Sequence, residues 1–61
     1  MTTRQADKLI AAGKPVTFYD PTYCDTFIGT PVRRDRRNLY IIHPNGREGT
    51  WDRADLVVKT K

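Results

Sequence analysis

A chain of 61 residues makes one small domain, and at that size folding buries only about 60% of the surface the unfolded chain exposes. Eleven Lys and Arg against seven Asp and Glu give a net charge of +4 and a pI near 9.6, a balance that favours anionic partners. One cysteine excludes an internal disulfide, and no apolar run approaches the roughly 20 residues that span a bilayer or forms the h-region of a secretory signal, so a soluble, cytoplasmic, membrane-free protein is expected.

Residues 2–13 read as a helix and its stop. Thr2-Thr3-Arg4-Gln5 offers a capping box, because a threonine hydroxyl can accept the N–H at the third helical position while Gln5 reaches back. Ala6, Leu9 and Ile10 lie on one face. Gly13 before Lys14-Pro15 ends the element, since glycine suits the left-handed position after a helix and proline cannot continue it. So short a helix is unstable alone, and Leu9 and Ile10 are expected to dock on the β region, which spans 16–61.

Val16-Thr17-Phe18-Tyr19 is a strand of β-branched and aromatic residues, with Val16 and Phe18 pointing one way and Thr17 and Tyr19 the other. Residues 20–25 carry turn chemistry. Residues 26–32 resume as a strand in which Gly29 suggests close backbone approach and Pro31 a bulge or free edge. Symmetric closure of the following turn at Asp35-Arg36 would set Val32 opposite Leu39, Thr30 opposite Ile41 and Ile28 opposite His43. That register groups Ile28, Val32, Leu39 and Ile41 on one side.

Leu39-Tyr40-Ile41-Ile42 is the most apolar strand, and Asn45-Gly46 after it is the strongest short hairpin signal, because both central residues of a type I′ turn need φ > 0. Taken as the two turn residues, they set His43 opposite Glu48, Ile42 opposite Gly49, Ile41 opposite Thr50 and Tyr40 opposite Trp51. Tyr40, Ile42 and Trp51 then share one side, with Leu39, Ile41, His43, Glu48 and Thr50 on the other. Both sides are apolar, which leaves open which one is the core. Residues 52–56 read as one helical turn, and 57–60 as a last short strand.

Five short strands, a meander through the middle three and a helical turn before the last follow the order of SH3-like small barrels. The succession Phe27-Ile28-Gly29-Thr30-Pro31-Val32, Tyr40-Ile41-Ile42, Asn45-Gly46, Trp51 and Ala54-Asp55-Leu56 resembles Tudor- and Agenet-type barrels over 27–58. The resemblance implies a mainly β fold, a five-stranded SH3-like small barrel with a short N-terminal α-helix. The paired tryptophans of peptide-binding SH3 domains are absent, and only Tyr19, Tyr23, Tyr40 and Trp51 could contribute to a methyl-binding aromatic cage. Neither activity is carried over.

The residues themselves point to a small non-enzymatic binding module. Arg33, Arg34, Arg36 and Arg37 crowd one hairpin, Arg47 sits at the next turn, and guanidinium groups bind phosphate in a bidentate manner. Tyr40 and Trp51 could add rings for base stacking. Nucleic acid is therefore the expected partner. The alternative is a protein–protein adaptor or inhibitor, of the kind small phage or mobile-element proteins supply, docking on an acidic host protein. A monomer or weak dimer is expected, as Pro31 and the charged turn discourage edge pairing. Cys24 and His43, with Glu48 to orient the imidazole, are the available nucleophile–base set. An ordinary His43–Glu48 cross-strand contact accounts for the same residues. No Cys or His pair has metal-ligand spacing, so neither metal nor cofactor is expected.

Overall fold

The structure, a computed structural model, describes residues 1–59. Helix α1 (Thr3–Ala12) is followed by strands β1 (Val16–Asp20), β2 (Asp25–Arg34), β3 (Asn38–Ile42) and β4 (Glu48–Asp52), a single 3-10 turn η1 (Arg53–Asp55), and β5 (Val57–Val58). The expected strand at 57–60 is formed over Val57–Val58, and its last residue lies outside those described. The caps of α1 keep the threonine half of the expected capping box and the glycine stop, and among the described residues no bond from the Gln5 side chain returns to Thr2. Thr2 accepts from the Gln5 N–H, and Gly13, at φ 64°, donates to the carbonyls of Leu9 and Ile10.

All pairings are antiparallel, in the order β4-β3-β2-β1-β5. The fold is thus mainly β, five strands with one short helix, an order compatible with a small barrel. The long β2 serves two half-sheets. It pairs with β1 from Asp25 to Gly29 and with β3 from Thr30 to Arg34.

Two registers differ from those the sequence suggests. The β3–β4 turn spends three residues, because His43 N–H donates to Arg47 O at 2.8 Å and Gly46 N–H to His43 O at 2.9 Å. Gly46 has φ 87° and Asn45 is not left-handed. Pro44, with φ fixed near −65°, fits the second position of a type I turn, and Gly46 then forms the bulge that completes it. Leu39 therefore faces Trp51, Tyr40 faces Thr50, Ile41 faces Gly49 and Ile42 faces Glu48. A slip of one residue exchanges faces. Trp51 consequently joins Leu39 and Ile41, not Tyr40 and Ile42, and His43 does not face Glu48.

In the β2–β3 pair, Thr30 faces Ile42 and Pro31 faces Ile41, then the register shifts so that Arg33 faces Tyr40 and Arg34 faces Leu39. Val32 is the extra residue and is exposed, as is Ile28. The expected grouping of Ile28 and Val32 with Leu39 and Ile41 does not form. The bulge follows Pro31, which brings no N–H to the ladder.

The core lies between the inner face of the sheet, α1 and the residue after η1. Ala6, Phe18, Leu39, Ile41 and Leu56 are fully buried, and Leu9, Ile10, Val16, Phe27, Trp51 and Val58 pack around them. Two glycines permit the closest approaches. A Cβ on Gly29 would stand 2.2 Å from Ile41 Cγ2 and 3.2 Å from Ile42 O, and one on Gly49 would stand 2.2 Å from the Trp51 ring. Gly29→Ala should lower stability by roughly 1–3 kcal/mol through overpacking of a site walled partly by backbone. Gly49→Ala should cost less, about 0.5–1.5 kcal/mol, by displacing the indole from its aromatic stack. Urea melts followed by Trp51 fluorescence check both, and only the second variant should shift the native emission.

Candidate nucleic-acid interface

The arginine hairpin is built around Asp35. Its Oδ1 accepts from the N–H groups of Arg37 at 2.9 Å and Asn38 at 2.7 Å, and its Oδ2 accepts from the Tyr40 hydroxyl at 2.9 Å. Asp35 N–H donates to Asn38 O at 3.0 Å. An aspartate that accepts from the amides two and three residues further on makes an Asx turn, which is why the sequence Asp-Arg-Arg-Asn folds locally into a tip. Those two amide bonds, then the tyrosine hydroxyl, hold the Asp35 carboxyl down from its ordinary 3.8 to about 2. The same contact with Asp35 raises the Tyr40 phenol.

A second brace comes from η1. Arg53 N–H donates to Arg37 O at 2.7 Å, and the Arg53 guanidinium donates to Arg36 O at 2.7 Å and to Met1 O at 3.1 Å. The carbonyls of Arg36 and Arg37 are thus held from below, while both side chains are exposed. Nothing in the sequence marks Arg53 for this role, because the contact spans 17 residues.

The other arginines are differently placed. Arg33 makes a 2.7 Å salt bridge with Glu48 and lies 4.3 Å from the centroid of the Tyr40 ring. Arg34 forms a bidentate pair with Asp7 of α1, at 2.6 and 3.0 Å. This hydrogen bond lowers the Asp7 carboxyl and raises the Arg34 guanidinium. Arg47 is at the opposite end of β3 from Arg36 and Arg37, since successive turns of a meander alternate between ends. The five arginines therefore do not form one cluster. Among the described residues, Arg36, Arg37 and Arg47 make no salt bridge.

The two candidate stacking rings are engaged internally. Trp51 stacks on Phe27 at 4.6 Å between centroids, meets His43 edge-on at 5.1 Å and lies against Gly49. Tyr40 is covered by Arg33 and tethered by Asp35. The Cys24, His43 and Glu48 set does not assemble as expected. Glu48 holds Arg33 on the outer face, His43 packs on Phe27 and Trp51 on the inner one, and the Cys24 thiol donates to Pro21 O. Among the described residues, no three His, Cys, Asp or Glu side chains gather as metal ligands. No helix there is long and apolar enough to cross a membrane.

Comparison with protein-family models, with curated proteins and with solved structures finds no match.

Because folding lowers the Asp35 pKa, its stabilising contribution is complete above about pH 4 and is lost as pH falls through about 2. Thermal melts from pH 5 downward should show this loss in the natural chain. Asp35→Ala should be less stable at pH 5 and show a flatter acid limb.

Proposed function

We propose that the chain is a non-enzymatic binding module that grips the phosphate backbone of a nucleic acid with the tip of the β2–β3 hairpin. The observation that carries this reading is the pair Arg36 and Arg37. Their carbonyls are clamped by Arg53 and their amide scaffold by Asp35, while their guanidinium groups meet no carboxylate among the described residues. A rigid backbone beneath two free forks lowers the entropy lost on binding, and arginine matches phosphate in both charge and geometry.

Base stacking has no part in this reading, because Tyr40 and Trp51 are held by neighbours. The contact is thus to backbone, which positions a protein without reading sequence. Arg33 and Arg34 are occupied by Glu48 and Asp7, and Arg47 faces away at the other end. We also take the sheet to be an SH3-like small barrel of the Tudor or Agenet type. The strand order, the bulged β2 shared by two half-sheets and the 3-10 turn before β5 support it. A reducing cytoplasmic compartment fits the unpaired Cys24.

Binding of a short labelled duplex, followed by anisotropy as salt is raised, tests the proposal. Two phosphate contacts predict a slope of log K on log salt near −1.8, at roughly −0.9 per contact, and about −1.4 for a single strand. Arg36→Glu with Arg37→Glu should weaken low-salt binding by at least about tenfold, whereas Arg47→Glu should leave it within about twofold. Absence of binding at low salt, or equal effects of the two reversals, overturns the reading. A slope of about −4.5 would mean that all five arginines bind together and would reject the two-arginine site.

A further inference from the structure

The paired part of β2 leaves an unpaired edge beside an open groove. Alternation along the ladder fixes which main-chain groups face where. Lys59 N–H donates to Thr17 O, so Thr17 bonds toward β5 and its neighbours Val16 and Phe18 bond toward β2. Gly29 and Phe27, their partners, bond back to β1. The N–H and C=O groups of Thr26 and Ile28 must then face the other way, toward β3. His43 N–H bonds to Arg47 O across the β3–β4 turn, which independently places Ile42 toward β2 and agrees with the Thr30–Ile42 pairing.

β3 does not continue far enough to meet that edge. In register, the residue opposite Ile28 would be Pro44, which has no N–H and belongs to the turn. Pairing of the two segments ends at Thr30 and Ile42, and beyond it lies an open groove lined by Thr17, Thr26, Phe27, Ile28, His43 and Pro44, together with Asn45. Ile28 is 52% exposed there.

We propose that this groove takes an extended segment of another protein, added to β2 as a strand and carrying acidic residues on either side of an aliphatic one. Main-chain donors and acceptors two residues apart along an extended strand are matched by another extended main chain. The aliphatic residue follows from the exposed Ile28 and the apolar Phe27 and Pro44. The acidic flanks follow from charge. Lys59 stands in the same cross-strand row as Thr17 and Ile28, on the face that Ile28 presents, and has no salt-bridge partner among the described residues. Asp25, the nearest carboxylate in sequence, pairs with Asp20 on the opposite face of β2. A second copy of this chain, with its net charge of +4, would bring like charge to the rim.

The probe is a capped peptide of alternating Val and Thr with two Glu at each end, titrated into the isotope-labelled full chain. Amide exchange at Thr26 and Ile28 should slow by at least about tenfold, with resonance shifts at His43 and Asn45. A counterpart with Lys in place of every Glu should bind much more weakly. Ile28→Pro removes a groove-facing N–H that the β1 ladder does not use, and Ile28→Asp places a carboxylate against the acidic peptide. Both should abolish binding, with the slow exchange of Phe27 and Gly29 reporting an intact ladder. Arg36→Glu with Arg37→Glu should leave peptide binding unchanged, which separates this site from the nucleic-acid reading. No protection at Thr26 and Ile28 at millimolar peptide, protection at the β4 edge instead, or binding unaffected by Ile28→Asp overturns the proposal.

Discussion

Leu39, Ile41 and Trp51 share the inner face of the sheet because the turn between β3 and β4 contains three residues and not two. A two-residue turn would have put the indole on the outer surface, beside Tyr40, and left Leu39 and Ile41 opposite Thr50 and its neighbours. With Pro44 at the second position of a type I turn and Gly46 in the left-handed region, the tryptophan instead closes the core over Gly49 and stacks on Phe27. In a domain whose core rests on so few buried side chains, Ala6, Phe18, Leu39, Ile41 and Leu56 among them, losing the only indole from the inner face would leave too little apolar surface covered. The aromatic row Phe18, Phe27, Trp51 and His43 depends on that same register.

The charges follow a similar economy. A basic chain with several arginines in one hairpin would repel itself at the tip, and the carboxylates are placed to relieve that. Glu48 takes Arg33 across the outer face, and Asp7 reaches from the helix to Arg34. Asp35 is the exception, because it bonds to amides and a hydroxyl and so shapes the turn more than it neutralises it. Exposed ion pairs stabilise little on their own. Their effect here is positional, since one links β4 to β2 across the outer face of β3, the other ties α1 to β2, and both leave Arg36 and Arg37 as the uncommitted pair.

The elements were legible in the sequence, and their registers were not. Helix caps and strand composition act locally, so Thr2 and Gly13 report their own conformations, while Asn45-Gly46 marks the place of a turn without fixing its type. Register depends on counting residues through turns, and there Pro44 competes with the Asn-Gly preference for a two-residue turn and wins, since its ring excludes the alternatives. Pro31 did signal a bulge, but which residue it would expel could not be read without knowing that Ile41 needed the bare backbone of Gly29. The arginine site was legible only in part. The Asx turn is written in consecutive residues, whereas the links from Asp7 to Arg34 and from Arg53 to Arg36 and Arg37 join distant positions that no short-range pattern connects.

One strand shared between two half-sheets explains why the molecule has two unlike ends. β2 pairs with β1 over its first half and with β3 over its second, so each half has an edge that its own sheet cannot satisfy. At the end of its second half Asp7 of α1 ties down Arg34, which leaves that end braced and arginine-bearing. Over the first half nothing among the described residues covers the edge. The Pro44 turn ends β3 short of it, and Thr26 and Ile28 are exposed, so that solvent can meet their free main-chain groups. A bulge and a proline that discourage pairing at one end thus coexist with an open strand at the other, and chemistry distinguishes the two: free cations on a clamped tip in one place, unpaired amides and carbonyls in the other.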